Sequence, residues 1–337
     1  MSTLFAGLAS AVLAASTYDL HTIHQFPNFT WIENIAIRSN GQILGTDVAG
    51  GQIFLVDPKC PQVKPPVIAQ FPKGSTVAGI TEVEDDVFYI VSALGYVYNF
   101  TFQANTTSVW KVDMRQYAHT EKASIRKVVD IPAIVVPNGM TTLSKIDNTI
   151  LIADTGAGAV WKVNVHTGAH QIVFDHPYLK PISTAHPPFG VNGIHIIEKQ
   201  TSKSKSIPTL YFSNTDRGYL GTVPISLETG KPTGKVLLLS NSVHAADDFA
   251  VDSCGNVWLC ENVLNTLVRV FPDGHVQTIA GGQNSTALIG PVAVAFGRGC
   301  DDRDVLYIST DGLTTNPTTR QPLTTNGKIA AIDIREG

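Results

Sequence analysis

The sequence predicts an all-β fold: a six-bladed β-propeller built from four-stranded antiparallel blades. Three observations carry this reading. A strand-opening unit recurs six times, at Glu33-Asn-Ile-Ala-Ile, Ala78-Gly-Ile-Thr, Asn138-Gly-Met-Thr-Thr, Asn192-Gly-Ile-His-Ile, Asp247-Asp-Phe-Ala-Val and Gly290-Pro-Val-Ala-Val. A second unit, apolar residues ending in small or polar ones, also recurs six times. Beyond the N-terminal segment, no stretch of about 11 residues or more carries an i, i+3, i+4 apolar stripe. Four short strands repeated at roughly 45–60 residues are the pattern of blades around an axis. Closing such a ring hides the sheet edges.

The elements follow in order. Leu4 to Ala15 is an apolar, small-residue run followed by Tyr18-Asp19. It is too short to span a bilayer and reads as the core of a signal peptide covering residues 1–16. Residues 17–337 then form one propeller domain. Second strands are expected at Ile43–Asp47, Val87–Ser92, Thr149–Asp154, Leu210–Asn214, Val257–Glu261 and Leu306–Asp311. Third strands are expected at Gln52–Val56, Tyr96–Tyr98, Ala159–Val163, Gly221–Ile225, Thr266–Val270 and Lys328–Ile332. Turn pairs such as Thr167-Gly168, Thr229-Gly230 and Asp273-Gly274 lead into fourth strands. The segments near 60–66, 177–190 and 313–326 read as excursions from blades, not linkers.

Composition fits a large core and narrows the partners. Of 337 residues, 43% are apolar and only 15% charged. The net charge is −4 and no basic run occurs, which argues against nucleic acid. No later segment is long and apolar enough to cross a membrane. The expected partner is a small-molecule substrate, with the chain a monomer in the secretory lumen or outside the cell. Sequons at Asn28, Asn99, Asn105 and Asn284 are the expected glycosylation sites in that compartment.

Four cysteines are present, at 60, 254, 260 and 300. Cys254 lies in a turn and Cys260 in the following strand, about 20 Å apart if extended, too far to bridge. Cys60 and Cys300 flank the first and last units, which ring closure makes neighbours, so a Cys60–Cys300 disulfide is expected. No CxxC pair suggests zinc.

The residues opening the six units read Glu, Ala, Asn, Asn, Asp and Gly. Around one axis, Glu33, Asn138, Asn192 and Asp247 converge at one end of the channel, the top. Two carboxylates and two amides suit a hard divalent cation such as Ca2+. An empty ring of carboxylate–amide hydrogen bonds is the alternative. Strand direction also places Asp47, Asp154, Asn214, Glu261 and Asp311 at the top. The segments 177–190 and 238–246 bring His186 and His244 near this mouth as acid/base candidates. His195, inside a strand, reads equally as a core residue. No nucleophile elbow, phosphate loop or dinucleotide fingerprint occurs.

On these residues the chain resembles the gluconolactonase/regucalcin-like six-bladed propeller superfamily, which includes paraoxonases, over about residues 25–336. The resemblance implies that Glu33, Asn138, Asn192 and Asp247 hold a catalytic divalent metal. The metal would polarise a lactone carbonyl while a carboxylate or histidine activates water. Asp248 lies where paraoxonase-like members place a further amide ligand. A narrower likeness rests on Pro137-Asn-Gly-Met-Thr-Thr, Ile152-Ala-Asp-Thr-Gly-Ala-Gly-Ala-Val-Trp-Lys-Val, Gly190-Val-Asn-Gly-Ile, Asp247-Asp-Phe-Ala-Val-Asp and Ala295-Phe-Gly-Arg. These strings are similar to secreted fungal propellers that include hetero-Diels–Alderases of tropolone–sesquiterpene pathways. That likeness implies dehydration of a benzylic alcohol to a quinone methide, then [4+2] addition to a polyene. The activities implied are therefore a cyclase or, alternatively, a Ca2+-dependent lactonase. A non-catalytic binding propeller is the third reading, because fold does not fix function.

Overall fold

The computed structural model describes residues 18–27, 29–96, 101–182, 188–198, 206–315, 322–324 and 326–336. Its strands form six antiparallel sheets arranged as blades. The innermost strands are Ile32–Ile37, Ser75–Glu84, Pro137–Ser144, Val191–Ile197, Ala246–Val251 and Pro291–Phe296, for blades 1 to 6 in that order. Each touches the next, and blade 6 touches blade 1, so the ring is closed. The α-helix of the described residues is a single turn, Tyr117–Thr120.

Ring closure uses a strand that the repeat pattern does not reveal. Blade 6 takes its outermost strand from Leu20–Gln25, which pairs antiparallel with Lys328–Asp333. Ile23 and Phe26 are buried behind it. Blade 2 also departs from expectation. Its second strand, Val87–Tyr96, continues past the blade and pairs with Thr101–Phe102. The third strand is consequently Ser108–Asp113, not the segment beginning at Tyr96. Blade 6 carries a second small hairpin, Leu313–Thr315 with Pro322–Thr324, in the expected 313–326 excursion.

Apolar faces of adjacent blades interlock to make the core. Tyr89 of blade 2 packs with Ile150, Ile152 and Trp161 of blade 3. Leu151 and Val160 of blade 3 pack with Leu210 and Phe212 of blade 4. Each fully buried side chain of this kind stabilises the fold by about 1.5–3 kcal/mol.

All four cysteines are free thiols, so the expected Cys60–Cys300 bridge is not formed. Both are exposed. The two blades are neighbours, as expected, with Lys59 and Cys300 lining one groove between them, but adjacency of blades does not supply the Cβ geometry a disulfide needs. Asn105 and Asn284 sit exposed in turns. Asn28, Asn99 and the segment 1–16 lie outside the described residues. Among the described residues, no helix is long and apolar enough to cross a membrane.

Candidate functional site

Every inner strand carries one extra residue at the same height. In blade 1, Ile32 pairs with Asp47 and Asn34 with Thr46, leaving Glu33 unpaired. In blade 3, Pro137 pairs with Asp154 and Met140 with Ile152. Blades 2, 4, 5 and 6 show the same shift after Val77, Val191, Ala246 and Pro291. A bulge bends the strand and re-aims the extra side chain. The first residues of the six bulges are Glu33, Ala78, Asn138, Asn192, Asp247 and Val292. The blade 6 position is therefore Val292, not Gly290. A bulge leaves no mark in the residue pattern, so the expected position lies two residues from the one that the strand pairing defines.

Glu33, Asn138, Asn192 and Asp247 converge on one pocket of about 200 Å³, with Ala78 beside them. Trp31, Phe102, Val136, Phe189 and Val263 supply its apolar wall. The Trp31 indole N–H donates to Glu33 Oε2 at 2.5 Å. The Asn192 side-chain N–H donates to Thr215 Oγ1 at 3.0 Å. Asn192 Oδ1 is buried and has no partner. An unpaired buried carbonyl is costly unless something in the pocket satisfies it.

The floor and the layer packed beside it concentrate acid groups whose ionised forms are disfavoured. Burial pushes Glu33 up to about 7, and the Asp248 charge adds to this, while hydrogen bonds from Trp31 and Asn138 partly offset it. Burial, followed by the charges of Glu33, Asp248 and Asp311, holds Asp247 well above the usual carboxylate range. Asp311, buried and bonded to Asn262, is pushed up to about 8.

The other polar residues expected at the top serve the backbone. Asp154 accepts from the N–H groups of Val135, Val136 and Ala157. Glu261 accepts from the His244 N–H at 2.7 Å and from Thr266 Oγ1. Asp47 accepts from the Trp31 and Ala49 N–H groups. The Asn214 amide donates to the carbonyls of Tyr178 and Lys180. Asp311 accepts from the Leu313 N–H at 2.6 Å. Each ties the loop before an inner strand, or the turn after a second strand, to the blade. None lines the pocket. An acid or amide just before a glycine-containing turn is the sequence signal for this role.

The histidines fare differently. His244 is exposed and does not line the pocket. His186 lies outside the described residues. His195 is half-buried below the pocket, with Nε2 at 2.7 Å from Asp248 Oδ1. Asp248 points away from the pocket, bonding His195 and Asn34.

The donor set fits a hard cation in one respect. Two carboxylates and the unpaired Asn192 carbonyl face one small space. Among the described residues, no group of three or more His, Cys, Asp or Glu side chains is arranged to hold a metal ion. Any cation here would therefore depend on the two amides.

Comparison with known proteins agrees with this architecture. No protein-family model matches the chain. A protein of Phoma sp, named "Putative hetero-Diels-Alderase", is 25% identical over 316 residues, covering 87% of this chain and 86% of that protein. The asR5 protein of Sarocladium schorii, named likewise, is 25% identical over 344 residues, covering 92% and 82%. Among solved structures, a calcium-binding regucalcin of Agrobacterium tumefaciens superposes with a TM-score of 0.61 at 15% identity, covering 95% of both chains. A luciferin-regenerating enzyme superposes with a TM-score of 0.60 at 11% identity, covering 94% of this chain and 95% of that one. The chain is a six-bladed β-propeller with the fold of regucalcin, similar in sequence to two proteins that bear the hetero-Diels-Alderase name.

Proposed function

We propose that the top pocket is the active site of a small-molecule cyclase of the hetero-Diels–Alder type. The observation that carries this reading is a carboxylic acid, Glu33, at the floor of an apolar-walled cup, with its pKa pushed up to about 7. The names of the two sequence relatives support it. A carboxyl group titrating near neutrality is suited to general-acid work.

In this reading Glu33 protonates the hydroxyl of a benzylic alcohol as its C–O bond breaks. Water leaves, and a ring hydroxyl of the substrate returns a proton to the Glu33 carboxylate, giving a quinone methide. Its heterodiene then adds to an alkene with no further proton transfer. The apolar wall orients the two reactants, and orientation alone can lower the barrier by several kcal/mol. At about 200 Å³ the cup is smaller than the usual ligand cavity. It therefore takes the reacting ends, while the rest of a large substrate lies in the mouth. His244 has no part in this step, because its side chain does not line the cup.

The test is a Glu33→Gln variant, which keeps the shape and removes the acid. With a quinone-methide precursor and a polyene, turnover should fall roughly 100-fold or more, the usual contribution of a general acid. Unchanged turnover in that variant rejects the reading.

A second reading is favoured by the unpaired Asn192 Oδ1. Glu33, Asn138, Asn192 and Asp247 would together hold Ca2+, with the carboxylates ionised. Bound there, the ion would supply Lewis-acid polarisation of a lactone carbonyl. The chain's own contribution would be to fix the donor set and exclude water through Trp31, Phe102 and Phe189. Lactone hydrolysis abolished by EDTA and restored by Ca2+ would select this reading. We place either reaction in the secretory pathway, with Asn105 and Asn284 exposed as acceptors. Loss of one glycan mass in each Asn→Gln variant from a secreting host tests that placement.

A further inference from the structure

Directly beneath the pocket, the second bulge residue of each blade forms another layer. Three of these are glycines, Gly79, Gly139 and Gly193. A side chain on Gly193 would begin 2.3 Å from Asp248 Oδ1, so this glycine leaves the space that Asp248 occupies. Asp248 is buried, and both of its oxygens are engaged. Oδ1 accepts from the Phe249 N–H at 2.8 Å and lies 2.7 Å from His195 Nε2. Oδ2 accepts from Asn34 Nδ2 at 2.9 Å. Asn34 is fixed in turn, because its Oδ1 accepts from the Ile35 N–H and its own N–H donates to Thr46 Oγ1.

These bonds join blades 4, 5 and 1. They reach past blade 6, whose Ala293 offers only an apolar side chain at the same height. None of the three residues lines the top pocket, yet the His195 side chain is 32% exposed. The edge-to-face contact with Phe249, at 4.9 Å between ring centroids, holds the imidazole in that position.

We infer that the Asn34–Asp248–His195 chain is a latch across the channel. Asp248 is its positioning residue, holding the adjoining Asp247 and, through Asn34, Glu33 at the pocket floor. The latch also closes the cup from below, so that ligand and product share the top mouth. The inference rests on the proposed function only in treating Glu33 and Asp247 as working residues. The latch itself stands on the bonds above.

The test uses the polarity of the Asn34–Asp248 bond. Asp248→Asn sets an N–H₂ group against that of Asn34, two donors face to face. Adding Asn34→Asp restores the bond with its direction reversed. Hydrogen–deuterium exchange on the full chain should speed by about tenfold in peptides covering 32–37 and 246–251 of the single variant, the effect expected for a lost buried hydrogen bond to a charged group. Peptides covering 170–175, on an outer strand, should not change. The double variant should return most of the protection. Should D248N fail to fold, Asn34→Ala removes the donor to Asp248 together with the acceptor of the Ile35 N–H, so it is read in the 246–251 peptide alone, where exchange should speed more weakly, with its midpoint of unfolding still measurable. Unchanged exchange in D248N, or in Asn34→Ala where that variant is used instead, overturns the latch. So does a double variant no better protected than the single. The enzymatic reading is judged separately by Glu33→Gln turnover, so the latch can hold while that reading fails, and the reverse.

Discussion

Trp31 donates its indole N–H to Glu33 Oε2 at 2.5 Å, which joins the pocket wall to the acid at its floor. Because Glu33 falls on a bulge, its carboxyl turns into the channel beside the preceding wall residue. The bond favours the ionised form and so opposes the upward push of burial.

Trp31→Phe should therefore raise the Glu33 titration midpoint further above about 7. A hydrogen bond to an ionised group contributes roughly 1.5–3 kcal/mol, so a rise of about one to two pH units is expected. Carboxyl-carbon NMR of the side chain, with Glu33→Gln to assign the resonance, reads it directly. An unmoved midpoint would mean that the indole does not stabilise the carboxylate.

Asn192→Ala should separate ligand binding from folding. The variant loses the bond to Thr215 Oγ1, which keeps its own bond to the Ala246 carbonyl, and the amide's bond to Asp247. It also removes an unpaired buried oxygen. These effects oppose each other, so the unfolding free energy should change by less than about 1 kcal/mol. If the oxygen meets a ligand, affinity for that ligand should fall about tenfold or more. Calorimetric titration with Ca2+, beside thermal unfolding of the same variant, measures both.

The blade repeat was legible in the sequence because a half-buried strand must alternate and a turn must use residues that tolerate it. The four pocket residues were legible because they recur at one register, and the structure brings all four together. Three features were hidden for physical reasons. The bulge is a pairing irregularity, so Val292 and Gly290 cannot be told apart by pattern. Leu20–Gln25 closes blade 6 from the far end of the chain, and no local signal announces a partner about 300 residues away. Acid groups such as Asp154 look like ligands until their backbone donors are seen. Asp248 was visible as a neighbour of Asp247, but its turn toward Asn34 and His195 is a long-range property.

The raised carboxyl groups set how stability responds to pH. Asp47 moves from 3.8 up to about 6, Glu33 from 4.5 to about 7 and Asp311 from 3.8 to about 8. Each holds its proton more tightly folded than unfolded. Their contribution is therefore fully present below about pH 4 and is lost as pH rises through the folded values. Over that window Asp47 alone accounts for roughly 3 kcal/mol. In EDTA the unfolding temperature should fall between pH 5 and pH 8. A cation held by the ionised groups would reverse the trend, so excess Ca2+ should stabilise more at pH 8 than at pH 5. Equal Ca2+ effects at both pH values would count against binding at these carboxylates.

Closure of the ring by its first strand predicts how much of the N-terminus the fold tolerates losing. Leu20–Gln25 covers the edge of Lys328–Asp333, and Tyr18 packs edge-on against Trp258 at 6.2 Å. A chain beginning at residue 17 keeps both contacts and should unfold at the same temperature as the full chain. A chain beginning at residue 27 loses the strand and the buried Ile23 and Phe26 side chains. Those two side chains alone stabilise the fold by about 3–6 kcal/mol. Five ladder pairs are lost with them, and an open apolar edge is left facing solvent. The shorter chain should therefore unfold well below the longer one and self-associate, as read by light scattering on heating. A synthetic peptide covering residues 18–27, added in excess, should restore part of the loss by pairing with the vacant edge. If the shorter chain instead matched the longer one in both measurements, closure of blade 6 would not depend on this strand.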